Sequence, residues 1–182
     1  MLYLASSSPS RAALLKEAGI AFVQKICEYD EDVDKTLPPS VFVQRVVLEK
    51  ERQFGQEFAD LAGECLLFAD SIVSLEGKIL TKPHDDAEAL ASLEAQSGKS
   101  VSVLSAFLLS CPQKRIFSLS KTTLFFGEFD PGDLRDYIQS GEYLGKAGAL
   151  MCEGFHQKYC LKMVGKRSTA LGLDVENLKA YL

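Results

Sequence analysis

The sequence predicts one α/β domain, residues 1–182, in which helices flank a mixed central β-sheet. Helix and strand patterns alternate along the chain, as in α/β proteins, whereas hairpin patterns in the middle add antiparallel strands. The chain has 182 residues, of which 47% are hydrophobic, and this is enough for a sizeable core. We therefore expect one domain, or two small lobes that share the sheet.

The first three elements follow from local signals near the N-terminus. An apolar run over 1–5 predicts a short buried strand. A helix comes next, because Ser8 suits the N-cap, Pro9 fits the first turn and Gly19 can end the helix. Residues 20–26 predict a second strand.

A long helix and a hairpin are predicted in the next part of the chain. Two consecutive prolines open a helix over 38–58, and a mostly apolar run over 65–75 predicts a strand. The Glu-Gly pair at 76–77 is a tight-turn signal, so 78–80 should pair back on that strand. An aspartate then begins a helix over 85–97.

Two long strands and a closing helix are predicted in the second half. The strands cover 99–111 and 115–126, and a short turn joins them. An Asp-Pro start and a glycine stop bound a helix over 130–141. Residues 157–164 predict a last strand, and 174–181 predict the closing helix.

The composition excludes several kinds of protein. The net charge is −5, with 25 Asp and Glu against 20 Lys and Arg, which argues against nonspecific binding to nucleic acid. No window is long and apolar enough to span a bilayer, and the N-terminus lacks the pattern of a signal peptide. We expect a cytoplasmic protein without a membrane partner.

The cysteine and histidine counts narrow the chemistry. The number of cysteines is odd and none forms a C-x-x-C pair, which predicts reduced, mostly buried thiols. They are Cys27, Cys65, Cys111, Cys152 and Cys160. The two histidines, His84 and His156, are isolated and predicted to be structural or exposed, which argues against a zinc site. A metal would then be Mg²⁺ or Mn²⁺ held by carboxylates.

The segment from Ser6 to Arg11 is the first candidate site. It joins a predicted strand to a helix start, where unpaired N–H groups and the helix dipole favour a phosphate. The hydroxyls of Ser6 and Ser8 and the charged fork of Arg11 could add donors. The alternative is that Ser8 only caps the helix.

Asp70 is the second candidate, because a carboxylate in an apolar strand is costly unless it is paired or binds a metal. At a strand end, Asp70 could hold Mg²⁺ or accept a proton from water. The alternative is an aspartate that faces the solvent.

Four further positions carry weaker signals. Lys82 precedes a proline that fixes the backbone, and Lys50 lies in a charge-rich helix stretch. Glu31 belongs to an acidic loop and could be a metal ligand, whereas Lys146 lies in a glycine-rich loop that could approach a phosphate. In isolation, each is more often a solvated side chain.

Together these pieces resemble the Maf family of nucleoside triphosphate pyrophosphatases, once named for septum formation. The resemblance covers nearly the whole chain, and the S-x-S-P segment and the A-D…K-P segment are its most specific parts. The matching positions are Leu4-Ala5-Ser6, Ser8-Pro9, Arg11, Asp30-Glu31, Lys50, Ala69-Asp70, Lys82-Pro83, Gly141-Glu142, Lys146-Ala147-Gly148, Gly154, Gly165 and Gly172.

The resemblance implies two lobes around a nucleotide cleft, similar to inosine triphosphatases, and a metal-dependent hydrolase that cuts between the α and β phosphorus. Members remove non-standard nucleotides and are often dimers, so the resemblance also allows a homodimer. Asp70 would be the proton acceptor, and with Glu31 it would hold Mg²⁺ or Mn²⁺. The phosphate ligands would be Ser8, Arg11, Lys50, Lys82 and, more weakly, Lys146. We assign Glu31 and Lys82 to the catalytic group as well.

Three positions differ from the commonest family form, which is thought to act on dTTP and UTP. They are Ser10, Ser71 and Glu153, and they are associated in the family with substrate choice. A carboxylate only accepts hydrogen bonds, so Glu153 suits guanine, whose N1–H and exocyclic amine both donate. Glu153 also resembles the branch that acts on 7-methyl-GTP, although that branch commonly has an aromatic residue in place of Ser10. We therefore expect a guanine-type substrate. The alternatives are a structural salt bridge at Glu153, a dTTP/UTP pyrophosphatase, or a non-catalytic regulator of septum formation.

Overall fold

The computed structural model describes residues 1–30 and 32–182, which form a mixed sheet with helices packed on it. The strands are β1 (Leu2–Leu4), β2 (Val23–Gln24), β3 (Cys65–Leu75), β4 (Lys78–Leu80), β5 (Ser100–Cys111), β6 (Lys114–Phe126) and β7 (Cys160–Val164). The helices are α1 (Pro9–Glu17), α2 (Pro39–Glu57), α3 (Asp86–Gln96), α4 (Pro131–Ser140), α5 (Phe155–Tyr159), α6 (Arg167–Ala170) and α7 (Val175–Lys179). Short 3-10 turns cover Ala59–Leu61 and Ala147–Ala149.

The strand order is β2-β1-β3-β5-β6-β7, and β4 pairs with β3. The pairs β1–β2 and β1–β3 are parallel, whereas β3–β4, β3–β5, β5–β6 and β6–β7 are antiparallel. This confirms the predicted α/β class with a mixed central sheet.

The apolar run in β3 is buried on both faces of the sheet. Leu67 and Ala69 contribute to one hydrophobic cluster with α1 and α7, whereas Phe68 and Ile72 contribute to a second cluster with α2. Side chains alternate between the two faces of a strand, so a strand covered on both sides is apolar at nearly every position. The polar exceptions in this strand are Asp70, Ser71 and Ser74, and Asp70 is the one that carries a charge.

Two predicted strands are shorter than expected. The strand expected over 20–26 is reduced to β2, and the first part of 157–164 is helical. Phe155 and Tyr159 both pack on Phe129, with ring centroids 5.1 and 5.0 Å away. Residues four apart share a helix face, so this aromatic packing favours α5 over a continued strand.

The prediction that all five cysteines are reduced thiols is wrong for two of them. Cys65 and Cys111 form a disulfide, with their Cα atoms 4.2 Å apart. Leu66 faces Ser110 in the antiparallel β3–β5 ladder. One step further along the two strands, Cys65 therefore faces Cys111. Their separation of 46 residues concealed this contact in the sequence. The other three cysteines have free thiols.

Within 1–30 and 32–182, no helix is long and apolar enough to cross a membrane.

Candidate active-site cleft

A cleft of about 1880 Å³ opens beside β3, at a gap in the strands along one of its edges. The pairing of β1 with β3 ends at Leu4 and Leu67, and the pairing of β4 begins at Val73 and Leu80. Asp70 lies in this gap, so its carboxylate reaches the cleft from the middle of a strand. Asp70 therefore lies within the strand, as the predicted strand over 65–75 implies, and not at a strand end, because β3 continues to Leu75 for pairing with β4 and β5.

Asp70 is paired with a cation rather than turned to the solvent. Its Oδ1 lies 2.7 Å from Nζ of Lys50, which reaches it from α2, and 3.9 Å from a terminal nitrogen of Arg11. The side chains of Lys50 and Asp70 are only 9% and 14% exposed. Burying a carboxylate costs several kcal/mol unless a charge or hydrogen bond compensates, and Lys50 supplies both. The hypothesis of a solvated surface lysine at position 50 is wrong.

The β1–α1 connection forms another wall of the cleft. Ser8 is the N-cap of α1, and its Oγ accepts from the Arg11 backbone N–H at 3.4 Å. The Ser8 N–H donates to Ser6 Oγ at 3.2 Å. Ser8 therefore caps the helix as predicted, and Ser8 and Ser10 also line the cleft. A helix N-terminus that follows a parallel strand is suited to anions.

Arg11 is held by hydrogen bonds from distant parts of the chain. Its Nε donates to the Gly172 carbonyl at 3.0 Å, and its two terminal nitrogens donate to Ser6 Oγ and Ser71 Oγ, each at 3.1 Å. Arg11, Ser71 and Gly172 all line the cleft. The contact with Gly172 joins α1 to the connection between α6 and α7.

Tyr29 is a cleft residue that sequence reasoning missed. Lys50 Nζ lies 5.5 Å from its ring centroid, and its hydroxyl donates to the Ala5 carbonyl at 3.2 Å. Burial raises the pKa of Tyr29, so its hydroxyl stays protonated at neutral pH.

The neighbouring Cys27 also lines the cleft, but burial and the Glu57 carboxylate raise its pKa to about 11. Its thiol is therefore not an activated nucleophile.

Two further lysines, from outside α1 and α2, also line the cleft. Lys82 follows β4 and is exposed, and Lys146 is half-buried and donates to the Glu142 carbonyl. Gly148, with φ of +60°, lets this loop approach β4, because an added Cβ would lie 3.0 Å from Leu80 Cβ. The Gly148 N–H donates to the Thr81 carbonyl at 2.8 Å, which places Lys146 beside the strand that leads to Lys82.

Glu153 is absent from the described lining of the cleft. Its exposed carboxylate forms an ion pair with Arg167 instead, which is the structural salt bridge expected as the alternative role of Glu153.

His156 is buried among aromatic rings, and burial lowers its pKa to about 3. It has the predicted structural role, since its Nδ1 accepts from the Met151 N–H at 3.1 Å. Glu31 lies outside the described residues.

The donor chemistry of the cleft suits a hard cation that binds together with phosphate. The described residues contain no group of three His, Cys, Asp or Glu side chains that could hold a metal by themselves. Mg²⁺ commonly takes one or two carboxylates and completes its coordination with substrate phosphates and waters. The Asp70 carboxylate fits such a shared site.

The fold and the cleft define an α/β protein in which cationic side chains from several elements line one cleft, with Lys50 and Arg11 beside the Asp70 carboxylate. The model of the Maf family, described as "Maf-like protein", matches residues 1–182. This chain belongs to the Maf family.

The chain is also similar to individual proteins. The chain is 57% identical over 183 residues to a "Nucleoside triphosphate pyrophosphatase" of Campylobacter jejuni strain 81116, covering 100% of both. It is 34% identical over 179 residues to a "dTTP/UTP pyrophosphatase" of Desulfotalea psychrophila, covering 97% of this chain and 90% of the relative. The solved structure of the Staphylococcus aureus Ham1 protein aligns with 99% of this chain and 96% of its own, at 9% identity and a TM-score of 0.47.

Proposed function

We propose that this protein hydrolyses a nucleoside triphosphate between the α and β phosphorus, giving the monophosphate and pyrophosphate. The observation that carries the proposal is the Asp70 carboxylate, held by Lys50 and flanked by Arg11 inside one cleft. The Campylobacter jejuni relative is named a nucleoside triphosphate pyrophosphatase, which supports this proposal.

The cations of the cleft bind the triphosphate in this proposal. Phosphoryl transfer depends on charge neutralisation and in-line positioning more than on covalent chemistry. Arg11, Lys82 and Lys146 contact phosphate oxygens, and the Ser8 hydroxyl and the N–H groups at the start of α1 add neutral donors.

Asp70 accepts the proton of the attacking water. Lys50 donates to Oδ1 and so helps to hold the carboxylate in the cleft, where it can accept a proton from water. Lys50 also contributes positive charge close to the phosphates.

We propose Mg²⁺ or Mn²⁺ as the cofactor, held by Asp70 and by Glu31, whose role is inferred from the sequence resemblance alone. When bound, the ion would neutralise charge on the phosphate oxygens.

For the base, we propose a guanine-type substrate such as 7-methyl-GTP, on the acceptor chemistry of Glu153. Its contact with Arg167 must open for this carboxylate to reach a base. The second candidate is dTTP or UTP, favoured by the name of the Desulfotalea psychrophila relative. The substitution Glu153→Gln tests the guanine-type candidate, because it should shift the substrate preference towards UTP or dTTP.

We further propose a cytoplasmic housecleaning enzyme, able to form a homodimer, that acts on free nucleotides rather than on nucleic acid. The competing hypothesis is a nucleotide-binding regulator of septum formation without turnover. Incubation with GTP, 7-methyl-GTP, dTTP, UTP and inosine triphosphate, with Mg²⁺ or Mn²⁺, separates the two. Pyrophosphate release from at least one substrate is expected, and release from none would contradict the enzymatic proposal.

A further inference from the structure

Arg11 is surrounded by three acceptors that come from widely separated parts of the sequence. They are Ser6 Oγ, Ser71 Oγ and the Gly172 carbonyl, and we call them the Arg11 acceptor set. A guanidinium is planar and its N–H donors point in fixed directions. Acceptors on Nε and on both terminal nitrogens therefore fix both the position and the plane of the group.

We propose that Ser71 and Gly172 are positioning residues, which act on phosphate binding and turnover through the orientation of Arg11. This inference rests on the proposed function. All three acceptors are neutral, so they orient the guanidinium without themselves neutralising its charge. Each acceptor thus aligns the fork of Arg11 with phosphate oxygens of the substrate.

Gly172 is suited to this role because a side chain would interfere with both partners. A Cβ atom at position 172 would lie 3.2 Å from Ser71 Oγ and 3.7 Å from Arg11 Nε. Its φ of +108° is also a conformation that residues with side chains rarely adopt. The glycine lets the connection after α6 bring its carbonyl against Arg11.

Ser71 is suited because its side chain reaches Arg11 from β3, next to Asp70. Its hydroxyl accepts from the same terminal nitrogen of Arg11 that lies 3.9 Å from Asp70 Oδ1. Removal of that hydroxyl takes away one of the acceptors that orient the fork relative to the Asp70 carboxylate. Threonine at this position keeps the hydroxyl.

The test is a double-mutant cycle between Ser71→Ala and Arg11→Ala. The readouts are kcat/KM for the best triphosphate and Kd for pyrophosphate, which needs no turnover. We expect Ser71→Ala to weaken both readouts about tenfold when Arg11 is present, and less than about twofold in the Arg11→Ala background. Ser71→Thr should retain both within about threefold, because the hydroxyl is kept.

Ser105→Ala is the matched control. Ser105 faces Ser71 in the β3–β5 ladder, is buried, and donates its hydroxyl to the Thr169 carbonyl at 2.8 Å. It should change both readouts less than about twofold and equally in both Arg11 backgrounds. If Ser71 had only a structural role, Ser71→Ala would likewise have the same effect with and without Arg11.

The outcomes separate the inference from the proposed function. Equal losses from Ser71→Ala in both backgrounds would overturn the positioning role, and an active wild type would still support the function. If Ser71→Ala weakens pyrophosphate binding only when Arg11 is present, and no variant or wild type turns over a triphosphate, the positioning role is supported and the proposed hydrolysis is overturned. A wild type that neither hydrolyses a triphosphate nor binds pyrophosphate would overturn both.

Discussion

Lys50 Nζ lies 2.7 Å from Oδ1 of Asp70, and both side chains are largely buried in the cleft. The two residues come from α2 and from the middle of β3, so the long helix and the central strand together define the site. The gap between β1 and β4 along β3 exposes this pair to a ligand.

Lys50→Met should reduce kcat/KM about 10- to 100-fold, because it removes a charged hydrogen bond to Asp70 and a cation near the phosphates. Arg52→Gln is the control on the same helix, since Arg52 is exposed and pairs with Glu49. Steady-state kinetics of both variants test the assignment, and equal activities would refute the role of Lys50.

Gly172→Ala should lower stability by about 1 kcal/mol or more, because alanine is strained at positive φ. It should also raise Kd for pyrophosphate by displacing Arg11. Gly55→Ala in α2 meets no atom within 4 Å and should be neutral or slightly stabilising. Chemical denaturation and calorimetric titration measure the two effects, and unchanged pyrophosphate binding by Gly172→Ala would contradict the expectation.

The disulfide between Cys65 and Cys111 predicts three reactive thiols in the oxidised, denatured chain: Cys27, Cys152 and Cys160. After reduction, a thiol reagent should titrate five. Reduction should also lower the free energy of unfolding by about 2–4 kcal/mol, since the bridge closes a long loop of the unfolded chain. A count of five before reduction would rule out the bridge in the protein as prepared.

His156 should make stability depend on pH. Burial lowers its pKa from 6.5 to about 3, so between these values the unfolded chain binds a proton that the folded chain does not. The free energy of unfolding should therefore fall as the pH decreases below about 6.5, by up to about 1.4 kcal/mol per pH unit from this group. His156→Gln should remove this part of the slope, whereas His84→Gln, at an exposed position, should leave it intact. Equal slopes in the wild type and in His156→Gln would contradict the assignment.

The sequence predicted most of the elements, because caps, glycine stops and apolar runs are local signals. It also pointed to Arg11 and Asp70, and the family resemblance pointed to Lys50. Neither showed that Lys50 and Arg11 both approach one carboxylate oxygen. That arrangement depends on the order of the strands and on the gap beside β3, neither of which is encoded in a short segment.

Other features could not be predicted for the same reason. The pairing of Cys65 with Cys111 depends on the register of two strands far apart in sequence. The position of Lys50 over the Tyr29 ring depends on how the loop after β2 meets α2. The acceptor chemistry of Glu153 follows from its residue type. Its ion pair with Arg167 depends on how the fold brings the two side chains together.

The central claim is that Asp70 supports the release of pyrophosphate from a triphosphate. Its most direct test compares the products of the wild type and of Asp70→Asn on the best substrate, with nucleoside monophosphate, pyrophosphate and orthophosphate measured separately. The wild type should give equal amounts of monophosphate and pyrophosphate, and Asp70→Asn should be at least about 100-fold slower while it stays folded and still binds the nucleotide. Orthophosphate and a nucleoside diphosphate as the primary products, or wild-type turnover by Asp70→Asn, would contradict the account.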